Sequence, residues 1–105
     1  MPEPVGPNGV LVDGADSVVT VTCAVAEGAM VVYSDGVTVH ELTATAPIPF
    51  GHKIARHDIP EGAIVRKYGE AIGCATRPIS VGQHVHVHNV RSLRAQAERV
   101  GEVPR

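Results

Sequence analysis

The chain has 105 residues, a formal net charge of −2, 44% hydrophobic residues and 19% charged residues. That balance describes one globular domain rather than a disordered chain, and without a basic block it argues against nucleic acid as the main partner. Aromatics are 3% and Trp is absent, so the core must come from Val, Ile, Ala and Leu, and no apolar run reaches membrane-spanning length.

Met1 to Gly14 is rich in Pro, Gly and acidic groups and reads as a flexible N-terminal arm (1–14) ahead of a single domain over 15–105. Met1-Pro2-Glu3-Pro4 shows no basic, apolar leader pattern, which favours a cytoplasmic location. Cys23 and Cys74 fit no CxxC spacing and read as two buried thiols. From Ser17 the pattern is β: Val18-Val19-Thr20-Val21-Thr22-Cys23 is β-branched almost throughout. Met30–Tyr33, the turn signal Ser34-Asp35-Gly36 and the alternating Val37–Ala44 read as a hairpin. Ala46-Pro47-Ile48-Pro49-Phe50-Gly51 is too proline-rich for a central strand and reads as a connector. Lys67-Tyr68-Gly69-Glu70 reads as a second hairpin tip. Short strands continue to Asn89, and only Ser92 to about Val100 looks helical, with Ser92 as its cap. The fold class is therefore mostly β, with short strands, Gly turns and one short C-terminal helix.

A short pattern recurs. Val25-Ala26-Glu27-Gly28-Ala29-Met30-Val31, Ile59-Pro60-Glu61-Gly62-Ala63-Ile64-Val65 and Ile79-Ser80-Val81-Gly82-Gln83-His84-Val85 each run from an apolar residue through a turn ending in Gly to a strand. Glycine supplies the positive φ that a tight turn into a strand needs. The irregular spacing excludes a solenoid.

The chemistry concentrates in Gly82-Gln83-His84-Val85-His86-Val87-His88-Asn89. Period-two alternation on a strand sends Val85 and Val87 to the core and three imidazoles to the other face. Neighbours on that face lie about 6.5–7 Å apart, so an i, i+2 pair can share one ion, whereas His84 and His88 would stand about 13 Å apart. The strand end near Asn89 favours His86 and His88. The alternative is a solvated polar face on an edge strand. Upstream, His52 and Lys53 follow a Pro/Gly connector; a histidine beside a lysine suits binding a carboxylate or supplying a proton. Lys53, Arg56 and His57 otherwise read as surface charge, and His40 as a structural histidine in a strand. There is no Gly-rich phosphate loop, no HExxH and no nucleophile–base signature.

The segment Gly51-His52-Lys53-Ile54-Ala55…Asp58-Ile59…Gly62…Val65…Lys67-Tyr68-Gly69…Ile72-Gly73…Ala75-Thr76…Ile79…Gly82…Val85-His86-Val87-His88-Asn89 resembles the small N-terminal module of the altronate/galactarate dehydratase family. It is similar also to the small alpha subunit of sulfolactate sulfo-lyases. The likeness covers Ile48–Asn89 closely and the preceding strands more loosely. It implies an SAF-type β-clip, and a carbon–oxygen or carbon–sulfur lyase that performs β-elimination on a hydroxylated acid. It implies a divalent metal, most often Fe2+, shared with a separate large catalytic subunit that carries most of the active site. On this reading His52 and Lys53 are the catalytic candidates, Lys53 and Asn89 face the substrate, and His86 and His88 bind metal. A chain of this size is expected to be inactive alone, because an enclosed sugar-acid pocket needs about 300 Å³ or more. A stand-alone SAF-type module that binds sugar acids without catalysis is the competing reading, and assembly into a homo-oligomer fits either. A cupin-type metal enzyme fits poorly, because Gly82 lies too close to the HxH pair and the nearest following Glu is Glu98.

Overall fold

A computed structural model describes residues 7–93. Among them are β1 (Gly9–Val10), β2 (Val18–Val21), β3 (Met30–Ser34), β4 (Val39–Thr43), β5 (Lys53–Ala55), β6 (Ile64–Lys67), β7 (Glu70–Ala75), β8 (His84–Val85) and β9 (Val90–Ser92). A four-stranded antiparallel sheet runs β1-β2-β5-β8, β3 and β4 form one hairpin, and β6-β7-β9 form a three-stranded sheet.

The chain divides into two halves, each with its own core. Val19, Val21, Val25, Val31, Tyr33, Leu42, Ala44, Ile48 and Ile54 bury together under the first hairpin. Val18, Ala55, Ile59, Val65, Ala75, Ile79 and Val85 bury together under the second. Adjacent residues on a strand point to opposite faces, so Val18 and Val19 on β2, and Ile54 and Ala55 on β5, feed one core each. The central strands are thus the wall between the two cores. Each fully buried Ile or Val contributes about 1.5–3 kcal/mol by leaving water, which is how a core without Trp holds.

The recurring pattern is one local structure, and it occurs four times. Gly28, Gly62 and Gly82 all have positive φ (87°, 84° and 91°), as the turn requires. The residue after each Gly donates to the carbonyl three positions back, as in Ala29 to Ala26, Ala63 to Pro60 and Gln83 to Ser80, each 3.0 Å. Ile48-Pro49-Phe50-Gly51-His52-Lys53-Ile54 is the fourth copy, with Gly51 at φ 81° and His52 donating to Pro49 at 3.0 Å. Its prolines hid it in the sequence. The copies pair through the bridges Val25–Ile48 and Ile59–Ile79, one in each half.

Both hairpins form as the sequence indicates: Met30 pairs with Thr43, and the tip Tyr68-Gly69 joins β6 to β7 with positive φ at both residues. Three expectations are corrected. Gly9–Val10, inside the stretch read as a flexible arm, is a strand paired with β2, and Asn8 ties it to β3 by accepting from the Val32 N–H (2.7 Å) and donating to Met30 O (3.1 Å). Cys23 is exposed and Cys74 half-buried, so neither thiol is a core residue. Val87 is 80% exposed rather than buried, because the strand that would have turned it inward ends at Val85. The helix expected from Ser92 to Val100 lies outside the described residues except for its start, where Ser92 closes β9. No helix among the described residues is long and apolar enough to cross a membrane.

Candidate functional site

Two of the four turn units carry histidines, and they are the two whose strands, β5 and β8, pair. His52 follows Gly51 and is held at both backbone groups: its N–H donates to Pro49 O (3.0 Å) and its carbonyl accepts from Val21 N–H (2.9 Å). His84 opens β8 opposite Ile54. The strand then stops at Val85. The Asn89 and Val90 N–H groups both donate back to His86 O, at 3.1 and 3.0 Å. Asn89 locks this turn from inside: its Oδ1 accepts from the His86 N–H (3.0 Å) and its Nδ2 donates to His84 O (2.9 Å). The loop folds His86 back toward β5 and turns Val87 out to solvent.

Three imidazoles therefore converge. His52 Nδ1 lies 2.9 Å from His84 Nε2, so one ring donates and the other accepts. The His52 and His86 rings stack at 4.3 Å between centroids, His52 and His84 at 5.1 Å, and His84 and His86 at 5.5 Å. One nitrogen from each of His52, His84 and His86 falls within 4.8 Å of the others, close enough to hold a single metal ion. His88 is exposed, and its ring stands 5.3 Å from that of His84 between centroids, tilted rather than stacked.

This geometry redraws the expected site. The 13 Å separation that set His84 aside assumed a regular strand; the turn after Val85 replaces it, and His84 sits inside the cluster. Of the residues expected to act together, His52 and His86 are brought together, while His88 stands at the rim. Asn89 is 3% exposed, its amide is engaged with its own loop, and it also lines a groove beside His84 and His88. The signal for this was present: an Asn three residues after His86 can bond back to that residue's N–H, which favours a turn over a strand. His40 lies elsewhere, stacked on Tyr33 and paired with Asp35 at 2.8 Å. Arg56, read as surface charge, spans the halves, donating to Gly14 O and Asp16 O with its guanidinium 5.7 Å over the Tyr33 ring.

The electrostatics favour neutral rings. Burial, reinforced by His52 and His88, pushes the His84 imidazole down to about 4. Burial, then His52 and Lys53, also lowers His86. Neutral imidazole is the form that binds metal or accepts a proton. Lys53, half-buried beside the cluster, is lowered by burial and by Lys67. Among the described residues no carboxylate pairs with it. Two depressions flank the histidines. A groove of about 410 Å³ is lined in part by Arg77, His84 and His88. A smaller one of about 250 Å³ holds Lys53, Ile72, His86 and Val87. The larger exceeds the volume expected of so small a module, but it is open to solvent on one side.

Fold and site define a small all-β domain with a metal-competent histidine cluster where its two halves meet. The family model described as the altronate/galactarate dehydratase SAF domain matches residues 7–93, and the chain belongs to that family. It is 49% identical over 47 residues to the (2R)-sulfolactate sulfo-lyase subunit alpha of Chromohalobacter salexigens, covering 45% of this chain and 50% of that one. It is 47% identical over 53 residues to the same subunit of Paracoccus pantotrophus, covering 50% of this chain and 79% of the relative. It is 42% identical over 55 residues to altronate dehydratase of Bacillus subtilis, covering 52% of this chain but only 11% of that protein. The matched stretch thus spans half of one sulfo-lyase subunit, 79% of the other and only 11% of the dehydratase.

Proposed function

We propose that this chain is the SAF module of a lyase that performs β-elimination on a hydroxylated acid, acting with a large catalytic chain. Its histidine face would close over that chain's active site. The observation that carries this is the convergence of His52, His84 and His86 beside Lys53, with which no carboxylate pairs among the described residues. The names of its relatives, a sulfo-lyase alpha subunit and an altronate dehydratase, supply the reaction class.

Elimination next to a carboxylate removes a weakly acidic proton, so negative charge builds on the carboxylate oxygens and a leaving group departs. The donor set suits a divalent cation such as Fe2+: His52, His84 and His86 would hold it, in place of the His86–His88 pair expected from a regular strand. Bound there, the ion would supply Lewis acidity. The Lys53 ammonium adds positive charge where negative charge develops. The exposed His88 is free to carry a proton at the rim. The buried Asn89 amide keeps the loop in register, so that these groups need little reorganisation.

Two measurements test the reading. The chain is loaded anaerobically with Fe(II) or Co(II), and metal content is compared with that of His52→Ala and His86→Ala. It is then combined with a large lyase chain and assayed with altronate, galactarate and sulfolactate. Stoichiometric metal lost in both variants, together with turnover only in the mixture, supports the proposal. Wild-type chain that takes up no metal contradicts the triad. Binding of these acids without any gain in turnover from a large chain supports the stand-alone binding module instead.

A further inference from the structure

Arg77 lies just beyond β7, in the turn leading to the Ile79 bridge, and is exposed. No carboxylate pairs with it among the described residues. Arg77 lines the 410 Å³ groove that His84 and His88 also line, and no Asp or Glu is among its lining residues. In a chain of net negative charge, a groove whose one charged wall residue is an arginine, set beside two imidazoles and the apolar Ala46, Pro47 and Pro49, favours an anion at that end. Two further donors face the same space. The Gln83 Oε1 accepts from the Ser80 N–H at 2.7 Å, which leaves its amide NH2 for a ligand. Thr45, held against the loop by its N–H bond to Gly82 O (2.9 Å), also lines the groove and carries a hydroxyl.

The geometry points to this groove as the substrate subsite, with Arg77 anchoring the carboxylate of a polyhydroxy acid while Gln83 and Thr45 take its hydroxyls. The planar fork of arginine matches a carboxylate in two parallel hydrogen bonds, which fixes direction as well as position. A molecule anchored there extends along a wall that includes His84 and His88, so its hydroxylated carbons run past the histidine cluster. The volume lies within the range of small-molecule sites. The inference rests on the lyase reading for the chemistry, but not on the metal.

The test is a nitrogen-15 NMR titration of the purified chain, metal-free and metal-loaded, with galactarate and with its uncharged counterpart galactitol. Galactarate should shift the Arg77 side-chain signal and the amides of Thr45 and Gln83, and galactitol should not. Arg77→Gln should weaken galactarate binding about tenfold or more, with Arg77→Lys recovering part of it, since charge survives but the fork does not. Arg77 is exposed, so neither change disturbs packing. Shifts that persist in Arg77→Gln, that map instead to Lys53, Ile72 and Val87, or that never appear at millimolar galactarate would overturn the assignment. Arg77-dependent shifts in a chain that takes up no metal would uphold this subsite while the triad fails. Metal uptake without those shifts would do the reverse.

Discussion

The two halves of this domain are built from the same backbone and used differently. Each contains two Gly turn units joined by one bridge, a hairpin, and a separate apolar core. The first hairpin closes locally: Asp35 accepts from the Val37 and Thr38 N–H groups, and those bonds with His40 hold its carboxyl well below the usual carboxylate range. The second closes from a distance: the buried Asp16, before β2, accepts from the Tyr68 and Gly69 N–H groups at 2.9 and 2.7 Å. The two positions after the turn glycine carry the difference. They are Ala29-Met30 and Ala63-Ile64 in two copies, His52-Lys53 and Gln83-His84 in the others. The turn thus supplies a rigid frame, and chemistry enters only where strands β5 and β8 bring two copies side by side.

The sharpest way to break this comparison is at His52. We expect His52→Ala to weaken metal retention by more than the roughly 10–100-fold typical of groups that only support a ligand. His57→Ala, at an exposed residue outside the cluster, should leave it unchanged; metal analysis after dialysis reads both. Equal losses would mean that the cluster is not the metal site.

The glycines separate the copies by stability. An added Cβ at Gly82 would come within 2.3 Å of Thr43 O, whereas at Gly28 and Gly62 it would meet open space. Gly28→Ala and Gly62→Ala should cost only the strain of positive φ, about 1–3 kcal/mol. Gly82→Ala must in addition push β8 off Thr43, and should be the least stable of the three in urea unfolding. Three similar losses would show that the halves are not packed against each other as described.

Asn89→Ala removes one donor and one acceptor that serve part-buried backbone groups, and should cost about 1–3 kcal/mol. It should also release His86 from His52, lowering metal affinity while leaving the first half's amide spectrum intact. A change confined to stability would reduce Asn89 to a packing role.

The smallest expected effect is on pH. The His84 imidazole is depressed to about 4, from an ordinary value near 6.5. The unfolded chain therefore binds a proton that the folded chain refuses between these values. The corresponding contribution to stability is complete above pH 6.5 and is lost as pH falls toward 4. Metal retention should fall as pH drops through this window, because a ligand ring must be neutral. Retention that does not change with pH across it would mean that the imidazoles are not the ligands.

Much of this was legible along the chain. The β-branched segments, the hairpin tips at Ser34-Asp35-Gly36 and Tyr68-Gly69, and three of the four turn units rest on local propensity and on the positive φ that glycine allows. The likeness in Gly51-His52-Lys53 and His86-Val87-His88-Asn89 led to the family. Tertiary structure decided the rest. Period-two logic holds only while a strand lasts, and β8 ends after Val85 because Asn89 reaches back to the His86 N–H. That single turn exposes Val87, brings His84 into the cluster and moves His88 to the rim. Arg77 carried no signal of its own, because a lone arginine after a strand is ordinary until the fold places it along one groove with His84. Residue types and turns are local properties. Which imidazoles meet depends on the β5–β8 register, and that is set by burying Ile54 and Val85 in two different cores.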